Sequence, residues 1–169
     1  NFNASDLAAA IGIVQLRKLP AMVARRREIV AELRTRLRRA PWVAIPEPLP
    51  YAEPSYWFLR MRFHAEACTV DRAAFCEALG AEGLPVMASY AAAMPHTMDW
   101  FIQRRVFGKS GYPWAAPGYE GDPSQTFPCP NAHATVATHF NLMLHEAWGP
   151  QEIDDAVAIF DKVGKAFER

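Results

Sequence analysis

Two aromatic stretches hold the side chains best suited to chemistry: YAAAMPHTMDW, from Tyr90 to Trp100, and KSGYPWAAPGY, from Lys109 to Tyr119. Tyr90, His96, Trp100, Lys109, Tyr112, Trp114 and Tyr119 combine polar tips with flat apolar bodies, which suits a pocket for a polar ring such as a sugar. The same aromatics equally suit plain packing of a proline-rich loop, and both readings stay open at this level. Tyr90, His96 and Trp114 are the candidate substrate contacts.

Other reactive residue types give less. His133, His139 and His145 recur every six residues, a spacing that aligns side chains on a strand but not on a helix. No carboxylate or cysteine completes a ligand pattern around them, so polar surface or core histidines are expected and no metal site is read. Cys68, Cys76 and Cys129 are an odd set without a CxxC pair, which disfavours a disulfide framework and points to a reducing, cytoplasmic setting. There is no GxSxG, HExxH, GxGxxG or phosphate-binding loop.

Charge excludes some partners. Eighteen basic side chains balance eighteen acidic ones, whereas a nucleic-acid binder usually carries a basic excess. Residues 25–39 hold seven arginines against Glu28 and Glu32, with no aromatics among them for stacking bases. A solvated helix face with glutamate pairs at helical spacing is the expectation. No uninterrupted apolar run reaches the roughly 18 residues of a membrane span, so neither membrane nor nucleic acid is expected as a partner.

The elements that would position these residues follow from period and punctuation. Ser5 reads as an N-cap, and Leu7, Ile11 and Val14 recur at helical spacing with Ala8, Ala9, Ala10 and Gly12 keeping one face slim. Leu19-Pro20 predicts a break, with a second helix from there to about Arg39. Residues 40–54 carry five prolines and read as a semi-rigid connection. Residues 56–63 read as a strand with Arg60 and Arg62 outward. Asp71 caps a helix carrying Phe75, Cys76 and Leu79, which Gly83 ends, and residues 84–90 form a second strand. Residues 94–107 are expected to be partly helical, 108–130 a long loop of functional or covering character, and 135–144 helix then strand. Gly149-Pro150 opens a last helix with a stripe of Ile153, Val157, Phe160, Val163 and Phe167. The expected class is α+β: long N-terminal helices (1–39) leading into a small sheet layer (40–169) closed by a C-terminal helix.

Several stretches, in order, carry a family resemblance. NFNASDLAAAIGIVQLRKL, residues 1–19, resembles the N-Y-R-M-x-E-x-Q-A-A-I-G-x-x-Q-L-x-x-L segment of the DegT/DnrJ/EryC1/StrS family of pyridoxal-phosphate-dependent sugar aminotransferases. Asp71-Arg72 with Leu79 and Glu82-Gly83-Leu84 is similar to that family's D-R-x-x-L-x-x-x-L-x-x-E-G-I, and Tyr90 with Pro95-His96 to its H-Y-x-P-L-H. Leu142-Met143-Leu144-His145 before Gln151-Glu152-Ile153 is similar to L-P-L-H before the closing helix. Asn3, Ser89 and Met143 depart from the family's arginine, histidine and proline, and 108–130 is longer than its usual connection.

The resemblance implies the small C-terminal domain of a fold-type I aminotransferase. It implies pyridoxal 5'-phosphate (PLP) as cofactor, a homodimer, and amino transfer from glutamate or glutamine to a keto-sugar. Nucleotide-linked sugars, cyclitols and octulosonate-like ketones are the acceptor classes it suggests. It implies that Asn1 contacts the cofactor phosphate of the other subunit. The chain begins at Asn1 rather than Met, and its four lysines (Lys18, Lys109, Lys162, Lys165) lack the family's lysine context. The expectation is therefore a chain cut from a longer one, with the cofactor lysine upstream and no catalytic residue here. A non-catalytic module of the same fold and a PLP-dependent sugar dehydratase are the alternatives.

Overall fold

The computed structural model describes residues 5–89 and 94–169. Contacts divide the chain into two units: one takes in the described residues up to Ala88 together with Thr138–Arg169, the other is Ser89–Ala137.

The first unit starts with α1 (Asp6–Leu37), a single helix that runs through Pro20 rather than the predicted pair. Proline removes one hydrogen bond and crowds the carbonyl four residues back, at roughly 3 kcal/mol. Here strong helix formers flank it, and the stretch is exposed, so solvent can take up the freed carbonyl. Ser5 caps the helix as expected, its Oγ accepting from the Ala8 N–H at 3.2 Å. Only the far end is anchored: Ile29, Val30, Leu33 and Leu37 are buried, whereas Leu7 is 72% and Leu16 67% exposed. Averaged over 18 residues, α1 also reaches a mean hydropathy of 1.4, enough by length and composition to cross a membrane, which counting uninterrupted runs had missed. Arg17 and Lys18 sit midway along it, and its last turns belong to a packed core.

The sheet is antiparallel, in the order β1-β2-β4-β3. It is built from β1 (Val43–Ala44), β2 (Leu59–Phe63), β3 (Val86–Met87) and β4 (His139–Leu142). Strand β1 lies inside the proline-rich connection, where two apolar residues between prolines gave too short a pattern to read. In β2 the alternation is as predicted: Leu59, Met61 and Phe63 are buried, and Arg60 and Arg62 face away. Both β2 and β3 pair antiparallel with β4, so they run parallel to each other with β4 between them. The helix α2 (Arg72–Ala81) joins them, capped by Asp71, whose carboxylate accepts from the Ala74 N–H at 2.9 Å. Gly83, at φ +101°, takes the left-handed turn that ends it.

Helix α5 (Pro150–Phe167) opens with Glu152 accepting from the Gly149 N–H at 2.8 Å, and its end is tied back where Thr69 N–H reaches the Phe167 carbonyl. A relay of phenyl rings joins helices to sheet. Phe63 meets Phe75 at 5.1 Å, Phe75 meets Phe140 at 6.5 Å, and Phe140 meets Phe160 at 6.4 Å. Gly164 lets α5 approach Trp42 so closely that an added Cβ would lie 1.9 Å from the indole.

Of the seven arginines in residues 25–39, Arg36, Arg38 and Arg39 are exposed as expected from charge spacing, whereas Arg25, Arg26, Arg27 and Arg34 are half-buried. Arg26 donates from Nε and Nη2 to Glu146, at 2.9 and 2.7 Å, and from Nη1 to the Tyr56 carbonyl. Arg27 reaches the Pro54 carbonyl and Arg34 that of Pro46; Arg25 takes the Trp148 carbonyl at 2.6 Å. A proline-rich segment leaves many carbonyls without ladder partners, and arginine's five donors supply them. The predicted helical pairs do exist, Arg25 with Glu28 and Arg36 with Glu32, but they are the minor part. The Glu146 carboxyl is held below its ordinary value first by its own backbone N–H, then by the Arg26 guanidinium.

Two outcomes follow. Gly164→Ala would gain helix propensity, about 1 kcal/mol, but the clash with a buried indole dominates, so thermal unfolding should show a net loss of roughly 2 kcal/mol or more. Because the Glu146 carboxyl titrates lower in the folded chain, its contribution is complete above the ordinary glutamate range and disappears as pH falls through the folded value. Glu146→Gln should therefore flatten the acid side of the stability–pH curve measured by urea unfolding.

Candidate functional site

The second unit holds a 3-10 turn (Pro95–Thr97), the short helix α3 (Asp99–Ile102), a long loop, and most of α4 (Pro130–Thr138). Its organising residue is Arg104, in the left-handed region at φ +56°. Its guanidinium donates to the carbonyls of Phe101 (3.1 Å), Pro123 (3.0 Å) and Gln125, and lies over the rings of Phe101 and Trp114 at 4.9 and 5.1 Å. Phe101 in turn meets Trp100, Trp114 and Phe127 edge-on, with centroids 5.6 to 5.8 Å apart. This cation and its rings hold the long loop to α3. Asp122 tightens the loop, accepting from the Ser124 N–H and hydroxyl, and those two bonds depress its carboxyl pKa.

A cavity of about 350 Å³ opens beside this cluster, lined by His96, Phe101, Arg104, Phe127 and the loop residues 123–126. Its walls mix flat rings with an imidazole and loop polar groups, which is what a small polar-ring ligand requires. Of the predicted contacts, His96 lines the cavity. Trp114 packs on Phe101 and Arg104, which also border it. Trp100 joins the same ring cluster, whereas Tyr112 pairs with Phe107 at 6.0 Å and Lys109 is exposed. Asn1 and Tyr90 lie outside the described residues. Part of the 108–130 loop, residues 123–128, lines the cavity.

Sequence reasoning missed Arg104, because a positive φ at arginine leaves no trace in composition, and it missed the partner of His133. That histidine meets His96, 37 positions away, rather than its six-spaced neighbours. His139 lies beside Thr138, and His145 accepts from the Ala147 N–H at 3.0 Å, so each finds a local partner. Among the described residues no three His, Cys, Asp or Glu side chains converge as metal ligands. Cys68 and Cys76 are buried thiols; burial pushes Cys76 up to about 11, which makes it unreactive.

Arg104→Lys keeps the charge but loses the fork that spans the three carbonyls. It should destabilise the loop locally by roughly 1–2 kcal/mol, read as faster hydrogen exchange over 121–127 with the first unit unchanged.

The fold is shared with solved enzymes. The aminotransferase TlmJ from Streptoalloteichus hindustanus matches over 96% of this chain at 28% identity with a TM-score of 0.64. The PLP-form of the putative sugar aminotransferase Spr1654 from Streptococcus pneumoniae matches over 97% at 20% identity and 0.65. Helicobacter pylori PseC, an aminotransferase involved in the biosynthesis of pseudoaminic acid, matches over 99% at 16% identity and 0.68. The chain spans only 37%, 36% and 39% of those three proteins, respectively. The sequence profile described as the DegT/DnrJ/EryC1/StrS aminotransferase family matches residues 1–115, more than half of the 169. On that match the chain belongs to the DegT/DnrJ/EryC1/StrS aminotransferase family.

Proposed function

We propose that this chain is the C-terminal domain of a PLP-dependent aminotransferase that transfers an amino group from glutamate or glutamine to a keto-sugar in amino-sugar biosynthesis. The observation that carries the proposal is the family profile over residues 1–115, on a fold shared with solved aminotransferases. When bound, PLP supplies an electron sink for the proton shifts of amino transfer.

The described residues do not by themselves fit that cofactor. All four lysines are exposed; Lys162 is ion-paired with Glu82 at 2.6 Å, and none lines the cavity of the second unit. In this reading the anchoring lysine belongs to a domain preceding Asn1, and Asn1 reaches the cofactor phosphate of the other subunit. The described residues then have the substrate side. The cavity beside Phe101 and Phe127 offers flat faces to an apolar ring surface, with His96 and the polar loop residues Ser124, Gln125 and Thr126 to hydrogen-bond its hydroxyls. Tyr90 and Trp114 are further substrate contacts. The acceptor is a nucleotide-linked sugar, a cyclitol or an octulosonate-like ketone.

The exposed apolar side chains of the first half of α1, among them Leu7, Ile11 and Val14, support burial against protein beyond the described fold in a homodimer. The setting proposed is the cytoplasm, where three free thiols persist.

The gene product carrying this segment tests the proposal. It should absorb in the visible, lose that absorbance on borohydride reduction, and change its spectrum with glutamate or glutamine in a way a keto-sugar reverses. A colourless product with no lysine preceding this segment would reduce the chain to a non-catalytic module. A spectrum unmoved by either amino donor would turn the assignment to sugar dehydration.

A further inference from the structure

The rings of His96 and His133 meet edge to face at 84°, with centroids 5.0 Å and Nε2 atoms 3.0 Å apart. His96 stands on the 3-10 turn at the cavity rim, and His133 in the first turn of α4. Both belong to the second unit, so their approach does not depend on how the two units sit.

Two facing imidazole nitrogens can share a proton or share a metal. At metal–nitrogen distances of about 2.0–2.1 Å, two ligands at right angles sit about 2.9 Å apart, and two ligands of a tetrahedron about 3.3 Å. The 3.0 Å separation lies near the right-angle value. That separation suits the right-angle positions of tetragonal and octahedral ions. Cu2+ and Ni2+ prefer such geometries, take imidazole readily, and stand high in the order of divalent affinities. His133 is exposed and His96 half-buried, which leaves the remaining coordination positions to solvent or to a ligand in the cavity.

We propose that His96 and His133 form a two-imidazole chelate for a divalent transition-metal ion of the Cu2+ or Ni2+ type at the rim of the second unit's cavity. The site needs only these two rings and does not rest on the amino-transfer reading. Because the metal takes neutral imidazole, protons compete with it for the ring nitrogens, and affinity falls as pH drops. Metal and a cavity ligand that uses His96 also exclude each other.

Calorimetric titration of the untagged chain with NiCl2 or CuCl2 at mildly alkaline pH tests this. One equivalent should bind, with His96→Ala and His133→Ala each weakening it at least tenfold and His145→Ala leaving it unchanged. Circular dichroism checks that the variants fold. The Cu2+ electron paramagnetic resonance spectrum of the unaltered chain needs no variant, and should show coupling to two imidazole nitrogens. Absence of stoichiometric binding, a spectrum with one imidazole or none, or loss of binding in His145→Ala alone would overturn the proposal and leave the pair as an N–H···N hydrogen bond.

Discussion

A 32-residue helix that buries only its last turns is the constraint around which the first unit is arranged. Ile29, Val30, Leu33 and Leu37 of α1 enter the same core as Phe75, Phe140 and Phe160, so this end of α1 is fixed by the sheet and by α5. Burial of such side chains is worth about 1.5–3 kcal/mol each, enough to set the direction of the whole rod. The other half carries an apolar face into solvent. Exposed leucines and isoleucines at helical spacing have no stabilising role in the described chain. They acquire one when other protein covers them.

The arginines translate the same helix into a template for an irregular segment. Residues 46–56 are rich in proline and would otherwise wander, since proline offers no donor to a ladder. Arg26, Arg27 and Arg34 take the carbonyls of Tyr56, Pro54 and Pro46 and lay the segment along α1 before it enters β2. The second unit solves a similar problem with one residue: Arg104 collects three carbonyls of α3 and its loop while stacking on two rings. In both units guanidinium groups do the work that a backbone ladder does elsewhere.

Much of this was legible from local chemistry. The caps at Ser5 and Asp71, the alternation in β2, the left-handed Gly83 and the stripe of α5 each follow from one residue type at one spacing. What escaped was non-local. Pro20 looked like a stop because the helix formers around it and its exposed setting do not enter a rule about proline alone. The arginine run looked like a solvated face because many of its acceptors, carbonyls and carboxylates alike, lie far along the chain. His96 and His133 looked unrelated because folding, not spacing, brings them together. Of the candidate site, His96 and part of the 108–130 loop line the cavity, whereas the part played by Arg104 left no mark in the sequence.

The central claim is that the first half of α1 is an interface and the second half a core element. Hydrogen–deuterium exchange along α1, in the chain alone and in the intact gene product, addresses it most directly. The account predicts slow exchange over 29–37 in both, and over 7–19 fast exchange in the chain alone that becomes slow in the intact protein. Equal protection of 7–19 in the two, or none in either, would contradict it.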